Sequence, residues 1–229
     1  MKLALFDIDG TILLSDGAGR RAIHQALREV YGGTGPDDHR FDGKTDRQIV
    51  RELMRLDGHD DARIDAGLDD VLARYVRYLE RELAAPAHAP RLLDGVLELL
   101  DALEARADVT LGLLTGNVEA GARAKLLAVG IDPDRFSSSA FGSDSEHRPE
   151  LPAVAQRRAS EALGADLPGE RVVVIGDTPA DVQCGRAIGA RAIGVATGRY
   201  GVEELEAHGA AYVFSDLTDT AAVVEAIVA

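Results

Sequence analysis

The chain opens with four consecutive apolar residues, Leu3-Ala4-Leu5-Phe6, that run straight into Asp7-Ile8-Asp9-Gly10-Thr11. An apolar run this short, closed by a glycine-containing turn, predicts a strand buried on both faces, the kind found in parallel sheets. Asp7 and Asp9 then fall at that strand's carboxyl end, where open α/β sheets bind their ligands. Two anions this close are costly unless a proton or a cation joins them, and a divalent metal is the simplest such partner. The same pair also suits a turn or a helix cap, so the remaining strand ends must decide between the two readings.

Those strand ends follow a regular alternation. Apolar runs over 109–114, 139–142, 171–175, 192–197 and 211–214 predict strands, with helical spacing near 118–129, 150–163, 179–188, 202–207 and 218–228. Short buried strands separated by helices predict an α/β fold, a doubly wound, Rossmann-like parallel sheet with right-handed crossovers. The interval 15–90 differs. Segments 17–30, 45–56 and 62–84 have helical spacing, as in the stripe Leu68, Val71, Leu72, Tyr75, Val76 and Leu79, and no strand is evident. The proline-flanked run 85–90 breaks the last of these helices and reads as a hinge. The pattern predicts a core of residues 1–14 and 91–229 interrupted by an all-helical insertion over 15–90.

Three further sites hold polar residues at or beyond strand ends. Leu113-Leu114 leads into Thr115-Gly116-Asn117. A hydroxyl and a side-chain-free turn suit an oxyanion, although a helix N-cap reads the same way. Val172–Ile175 leads into Gly176-Asp177, with Asp181 four residues on and Pro179 suited to a first helical turn. Between them, Arg148 precedes Pro149, where it is either a buried cation or a solvated surface residue. The chain has only three lysines, at 2, 44 and 125, and Lys125 lies in mid-helix, which favours Arg148 as the local cation.

Taken together and in this order, DxDGT, Thr-Gly-Asn, Arg-Pro and GDxxxD resemble the four motifs of the haloacid dehalogenase superfamily of phosphotransferases, over essentially the whole chain. One departure is Arg148, where the family most often has a lysine. The resemblance implies that the helical insertion is a cap and that Asp7 is a nucleophile forming an aspartyl-phosphate. It implies that Asp9 is general acid and then base. Mg²⁺ would be held by Asp7, the main-chain carbonyl of Asp9, and Asp177, with Asp181 holding a metal water or Arg148. Thr115 and Arg148, with Gly116 and Asn117, would receive the phosphoryl group, and Thr11 and Asn117 would support the site. Asp144 is a minor candidate near the metal. Phe6 and Ile8 read as core.

An Asp at position 9 favours phosphate chemistry over carbon–halogen cleavage, so the resemblance implies a phosphatase of the phosphoglycolate type. A phosphomutase and a non-catalytic binding module stay open as alternatives. Specificity is expected in the loop Phe41–Arg47, where Lys44 either meets a second anionic group of the substrate or lies in solvent. Arg20 and Arg21 read as solvated helix surface.

Composition narrows the partners. A formal net charge of −14 argues against nucleic acid or an anionic membrane and leaves a small-molecule phosphate ester, bound with the help of Mg²⁺ and a few cationic side chains. The single Cys184 excludes an internal disulfide and reads as a buried structural thiol. With neither a membrane span nor a signal peptide's order of regions, a cytoplasmic monomer or homodimer is the expectation.

Overall fold

Apolar strands alternating with amphipathic helices leave a sheet that must be covered on both faces. In the computed structural model, which describes residues 1–229, β1 (Lys2–Phe6) and β2 (Leu13–Leu14) are followed by three helices, α1 (Ala18–Tyr31), α2 (Asp46–Leu56) and α3 (Asp61–Leu83). The chain returns through β3 (Arg91–Leu92) and then alternates. Helix α4 (Val96–Glu104), β4 (Val109–Thr115), α5 (Glu119–Ala128), β5 (Ala140–Phe141) and α6 (Leu151–Leu163) form one run. Strand β6 (Val172–Gly176), α7 (Pro179–Cys184), β7 (Arg191–Val195), α8 (Val202–Ala207), β8 (Tyr212–Phe214) and α9 (Thr220–Val228) form the next.

Six strands make one parallel sheet in the order β5-β4-β1-β6-β7-β8. Strand β1 lies inside it, with Phe6 opposite Leu113 of β4 on one side and Ile175 of β6 on the other. Its side chains alternate between two cores. Leu3 and Leu5 pack with Leu151 and Ala155 of α6, whereas Ala4 and Phe6 pack with Leu99 and Leu103 of α4 and Val223 and Ile227 of α9. The parallel sheet and its double covering are those the sequence predicts.

Helices α1 to α3 build a separate core in which Ile23, Leu53, Ile64, Val71, Tyr75 and Leu79 are buried together, joined by Val118 from just before α5. Thr45 caps α2 by accepting the Gln48 amide, and Asp60 caps α3 by accepting the Arg63 amide. Entry into α1 passes through two left-handed residues, Asp16 at φ 46° and Gly17 at φ 74°.

Three elements differ from expectation. Helix α4 is absent from the sequence reading, and its buried Val96, Leu99, Leu100 and Leu103 recur at helical spacing. Leu13 and Leu14 pair antiparallel with Leu92 and Arg91, a ribbon of two residues a side, too short to leave a periodic signal. The helix expected over 179–188 ends at Cys184 and continues as a 3₁₀ turn to Ile188.

Candidate functional site

Because β4 and β6 flank β1, their carboxyl ends deliver Thr115 and Asp177 to either side of Asp7. Asp7 follows β1 with its amide bonded to the Ile175 carbonyl at 2.9 Å, and all three side chains are buried. Arg148 enters from the short turn Arg148–Glu150 ahead of α6. Its Nη2 donates to Asp7 Oδ1 at 3.1 Å and to the Leu114 carbonyl at 3.4 Å, and it also pairs with Asp181. The arginine therefore sits against Asp7, buried and not in solvent.

Asp181 is held by a capping box, in which the Thr178 amide donates to Asp181 Oδ2 at 3.0 Å and the Thr178 hydroxyl to the same oxygen at 2.6 Å. Its carboxylate stands with those of Asp7 and Asp177, one oxygen from each lying within 4.8 Å of the others. Burial, then the charges of Asp181 and Asp7, push the Asp177 carboxyl well above the usual carboxylate range. Burial also raises Asp7, with Arg148 pulling back and Asp181 and Asp9 pushing further. Arg148 stays charged because those same carboxylates outweigh its burial. Three buried carboxylates with one guanidinium between them have room for a further cation, and an all-oxygen set suits a hard divalent ion such as Mg²⁺. The cradle is also built for it. A Cβ at Gly198 would stand 1.8 Å from Asp177 Oδ2, and one at Gly10, whose φ is 90°, would stand 2.3 Å from the same oxygen. Thr11 donates to Asp177 Oδ1 at 3.4 Å.

Asp9 has a different environment. Lys125 Nζ donates to Asp9 Oδ2 at 2.5 Å, Asn117 Nδ2 to the same oxygen at 2.8 Å, and Ser15 Oγ to Oδ1 at 3.2 Å. Burial would raise this carboxyl, but the charge and hydrogen bond of Lys125, with the other donors, hold it below its ordinary value. Thr115 Oγ1 accepts from both the amide and the side chain of Asn117, at 3.3 and 2.8 Å, which leaves its own proton to donate.

Some residues serve purposes other than those expected. Gly116 makes room for the opposite loop, because a Cβ there would lie 2.0 Å from the Lys44 carbonyl oxygen. Lys44 lines the same cavity as Asp7 and Asp9, paired with Glu52 and 3.2 Å from His39 Nε2. Asp144 is away from the metal region. It accepts the Phe141 amide at 2.9 Å, pairs with Arg158 at 2.7 Å, and lines no part of the cavity. Arg20 is not merely helix surface. It lines the cavity, lies 3.9 Å from the Phe41 ring, and donates to the carbonyls of Asp37 and His39 at 3.0 and 2.7 Å. Cys184 is buried, and desolvation pushes its thiol up to about 12, which keeps it unreactive.

Sequence reasoning missed Lys125 and Asp46. Lys125 falls on the buried side of α5 with Ala122 and Leu126, at i, i+3 and i+4. A lysine inside that apolar stripe, in a chain with two others, is the signal that points to it. Asp46 is buried at the start of α2 and accepts the Val118 amide; its place in a hydrophilic loop sequence gives no hint of this.

Comparison with known proteins bears on the family and the fold. The family model of haloacid dehalogenase-like hydrolases matches residues 4–186. A 5'-nucleotidase from Pseudomonas aeruginosa is 28% identical, the match covering 96% of this chain and 94% of that protein. An N-acetylmuramic acid 6-phosphate phosphatase from the same organism is 29% identical over 94% of this chain and 91% of its own length. The crystal structure of a hydrolase from Pseudomonas syringae superposes with a TM-score of 0.74 at 24% identity, covering 99% of each chain, which speaks for the fold.

Proposed function

The chain belongs to the haloacid dehalogenase-like hydrolase family and is a phosphoric monoester hydrolase, and we propose that it cleaves a small-molecule phosphate ester of the phosphoglycolate kind through a covalent phosphate on Asp7. The observation that carries this reading is the contrast between two carboxylates two residues apart. Asp7 faces Arg148 within the acidic group, whereas Asp9 is held apart by Lys125, Asn117 and Ser15. Separate environments for a carboxylate pair mark separate roles.

In this proposal a carboxylate oxygen of Asp7 attacks phosphorus and the ester oxygen departs. Asp9, ionised at rest, takes up the proton of a singly ionised ester on binding and passes it to the leaving oxygen. It then accepts a proton from the water that attacks the aspartyl-phosphate, which restores Asp7, and gives that proton to the departing phosphate, which returns Asp9 to its ionised state. Arg148 and the Thr115 hydroxyl orient the phosphoryl oxygens and balance their charge. Asp7, Asp177 and the main-chain carbonyl of Asp9 would hold Mg²⁺, with Asp181 beside them. Once bound, the ion neutralises charge on the transferring group.

Residues 15–90 act as a cap over this site. The cavity is about 270 Å³ and is lined from both sides, by Asp7, Asp9 and Thr115 below and by Arg20, Phe41 and Lys44 above. That volume lies under the roughly 300–1,000 Å³ of pockets for drug-sized ligands, which supports a leaving group of a few heavy atoms. Arg20 and Lys44 suit a second anion on it, such as a carboxylate.

The test is phosphate release from phosphoglycolate, sugar phosphates, nucleoside 5'-monophosphates and N-acetylmuramic acid 6-phosphate, with and without Mg²⁺, by the native chain and Asp7→Asn. Mg²⁺-dependent release, fastest on phosphoglycolate-like esters and lost in Asp7→Asn, is the expected result. No release from any ester at any Mg²⁺ concentration would overturn the proposal.

A further inference from the structure

Lys125 is only 3% exposed, in the middle of α5. An ammonium in such a place loses its hydration, a large cost unless it is fully matched, and an apolar residue of similar volume is commonly as good for stability. A structural need to fill α5's inner face would therefore be met by leucine or methionine. What the lysine adds is its two contacts, Asp9 Oδ2 at 2.5 Å and Asn117 Oδ1 at 2.6 Å. Asn117 closes the triangle by donating to the same Asp9 oxygen. With Ser15 on the other oxygen, Asp9 is fixed by three donors from three segments of the chain.

The helical unit completes the enclosure. Gly19 of α1 lies over the ammonium, close enough that a Cβ there would be in ordinary contact, 3.7 Å from both Lys125 Nζ and the Tyr75 hydroxyl. The ammonium is thereby kept from water while the Asp9 carboxylate stays open to the cavity.

We infer that Lys125 is a positioning residue that fixes the direction in which Asp9 delivers its proton to the leaving oxygen. The inference rests on the phosphatase chemistry proposed above. A residue that aims a general acid matters in proportion to how badly the leaving group needs a proton. An alkoxide needs one, whereas a dinitrophenolate departs without it. Because kcat/KM reports the steps up to departure of the leaving group, the comparison isolates proton delivery from hydrolysis of the covalent phosphate.

The experiment measures kcat/KM of the native chain and Lys125→Met, in Mg²⁺, on phosphoglycolate and on 2,4-dinitrophenyl phosphate. The expected result is a loss of about 100-fold or more on phosphoglycolate, the scale of general-acid catalysis, against a few-fold on the dinitrophenyl ester. Lys125→Gln, which keeps a donor, recovers part of the loss on phosphoglycolate alone. In an Asp9→Asn background, Lys125→Met causes no further loss. Equal losses on both esters, a gain on phosphoglycolate, or additive losses in the double variant would each overturn the inference and leave the phosphatase reading intact. If Lys125→Met does not fold, Lys125→Gln and its double variant decide the matter by the same comparison. A native chain inert toward both esters would remove the phosphatase reading and this inference together.

Discussion

The Asp46 carboxylate, in the first turn of α2, accepts the Val118 amide at 2.8 Å and so caps α5 from the opposite side of the cavity. Val118, at the cap position of α5, has no side-chain acceptor of its own. Asp46 is thus both a helix cap and a tie between the helical unit and the sheet. Burial pushes its carboxyl up to about 6, with Lys125 and the Val118 amide pulling back. From about pH 4, where an unfolded aspartate ionises, up to about 6, the folded chain keeps a proton that the unfolded chain has lost. Asp46 therefore makes stability fall as pH rises through that window, with no further change above it. Asp46→Asn retains the acceptor and removes the titration. Its melting temperature should depend less on pH in that window and exceed the native value at pH 8 by about 2–4 °C, on the order of 1 kcal/mol. An unchanged pH slope would contradict the assignment. Asp46→Ala, which removes the cap, should cost about 1 kcal/mol.

The carboxyls of Asp7 and Asp177 are both raised by burial first and then by neighbouring carboxylates, Asp181 in each case. Without a metal, the folded state gives up protons later than the unfolded state, so stability declines as pH climbs out of the carboxylate range. A divalent cation that displaces those protons should bind more tightly as pH rises. The rise in melting temperature on adding Mg²⁺ should be clearly larger at pH 8.5 than at pH 6. Equal shifts at both would place the cation elsewhere.

Asp7→Asn removes the attacking oxygen and one charge from the acidic group. Turnover should drop by about 10⁴-fold or more, while the metal-free protein gains on the order of 1 kcal/mol from reduced repulsion. Urea titration beside the activity assay separates the two effects, and a destabilised variant would count against the electrostatic account of the group.

Arg148 bridges Asp7 and Asp181 inside the protein. Arg148→Met leaves those carboxylates without their cation and should cost about 3–5 kcal/mol, the scale for breaking a buried pair. Arg148→Lys keeps the charge but not the guanidinium reach that sets one nitrogen, Nη2, against both carboxylates. Its stability should fall between the two, with activity lower than native. A lysine variant indistinguishable from native would show that charge alone, and not the placement of Nη2 between the two carboxylates, is what matters.

Gly198 touches nothing catalytic by itself, having no side chain, yet a Cβ there would meet Asp177 at 1.8 Å. Gly198→Ala should turn the Asp177 carboxylate aside and weaken Mg²⁺ binding about 10–100-fold, the effect typical of disturbing a ligand's support. Retained far-ultraviolet dichroism with unchanged Mg²⁺ affinity would show that the loop yields instead.

The parts of the site legible in the sequence are those built on buried strands. Leu3–Phe6 and Val172–Gly176 are apolar enough that a carboxylate directly after either falls at the sheet's rim, and the sheet order then brings Asp7 and Asp177 together. The illegible parts depend on contacts between distant segments. Nothing local to Lys125 reveals that α5 points it at Asp9, and nothing local to Arg20 reveals that its helix faces the cavity. Gly116 shows the limit of motif reading in another way. An oxyanion alone would account for a glycine there, whereas the nearer constraint is the backbone of Lys44 pressing from across the cavity.

The two-residue ribbon of Leu13 and Leu14 with Leu92 and Arg91 has a consequence for how such a chain can be built. Its strands are the outgoing and returning passes of the chain around α1, α2 and α3, pinned side by side. To the sheet, the whole excursion is equivalent to a short hairpin, since the entropy of closing a loop grows only slowly with its contents. Whatever is spliced in at that seam can change in size and lining without moving the strand ends that hold Asp7 and Asp177. One chemical engine can in this way be refitted with different lids.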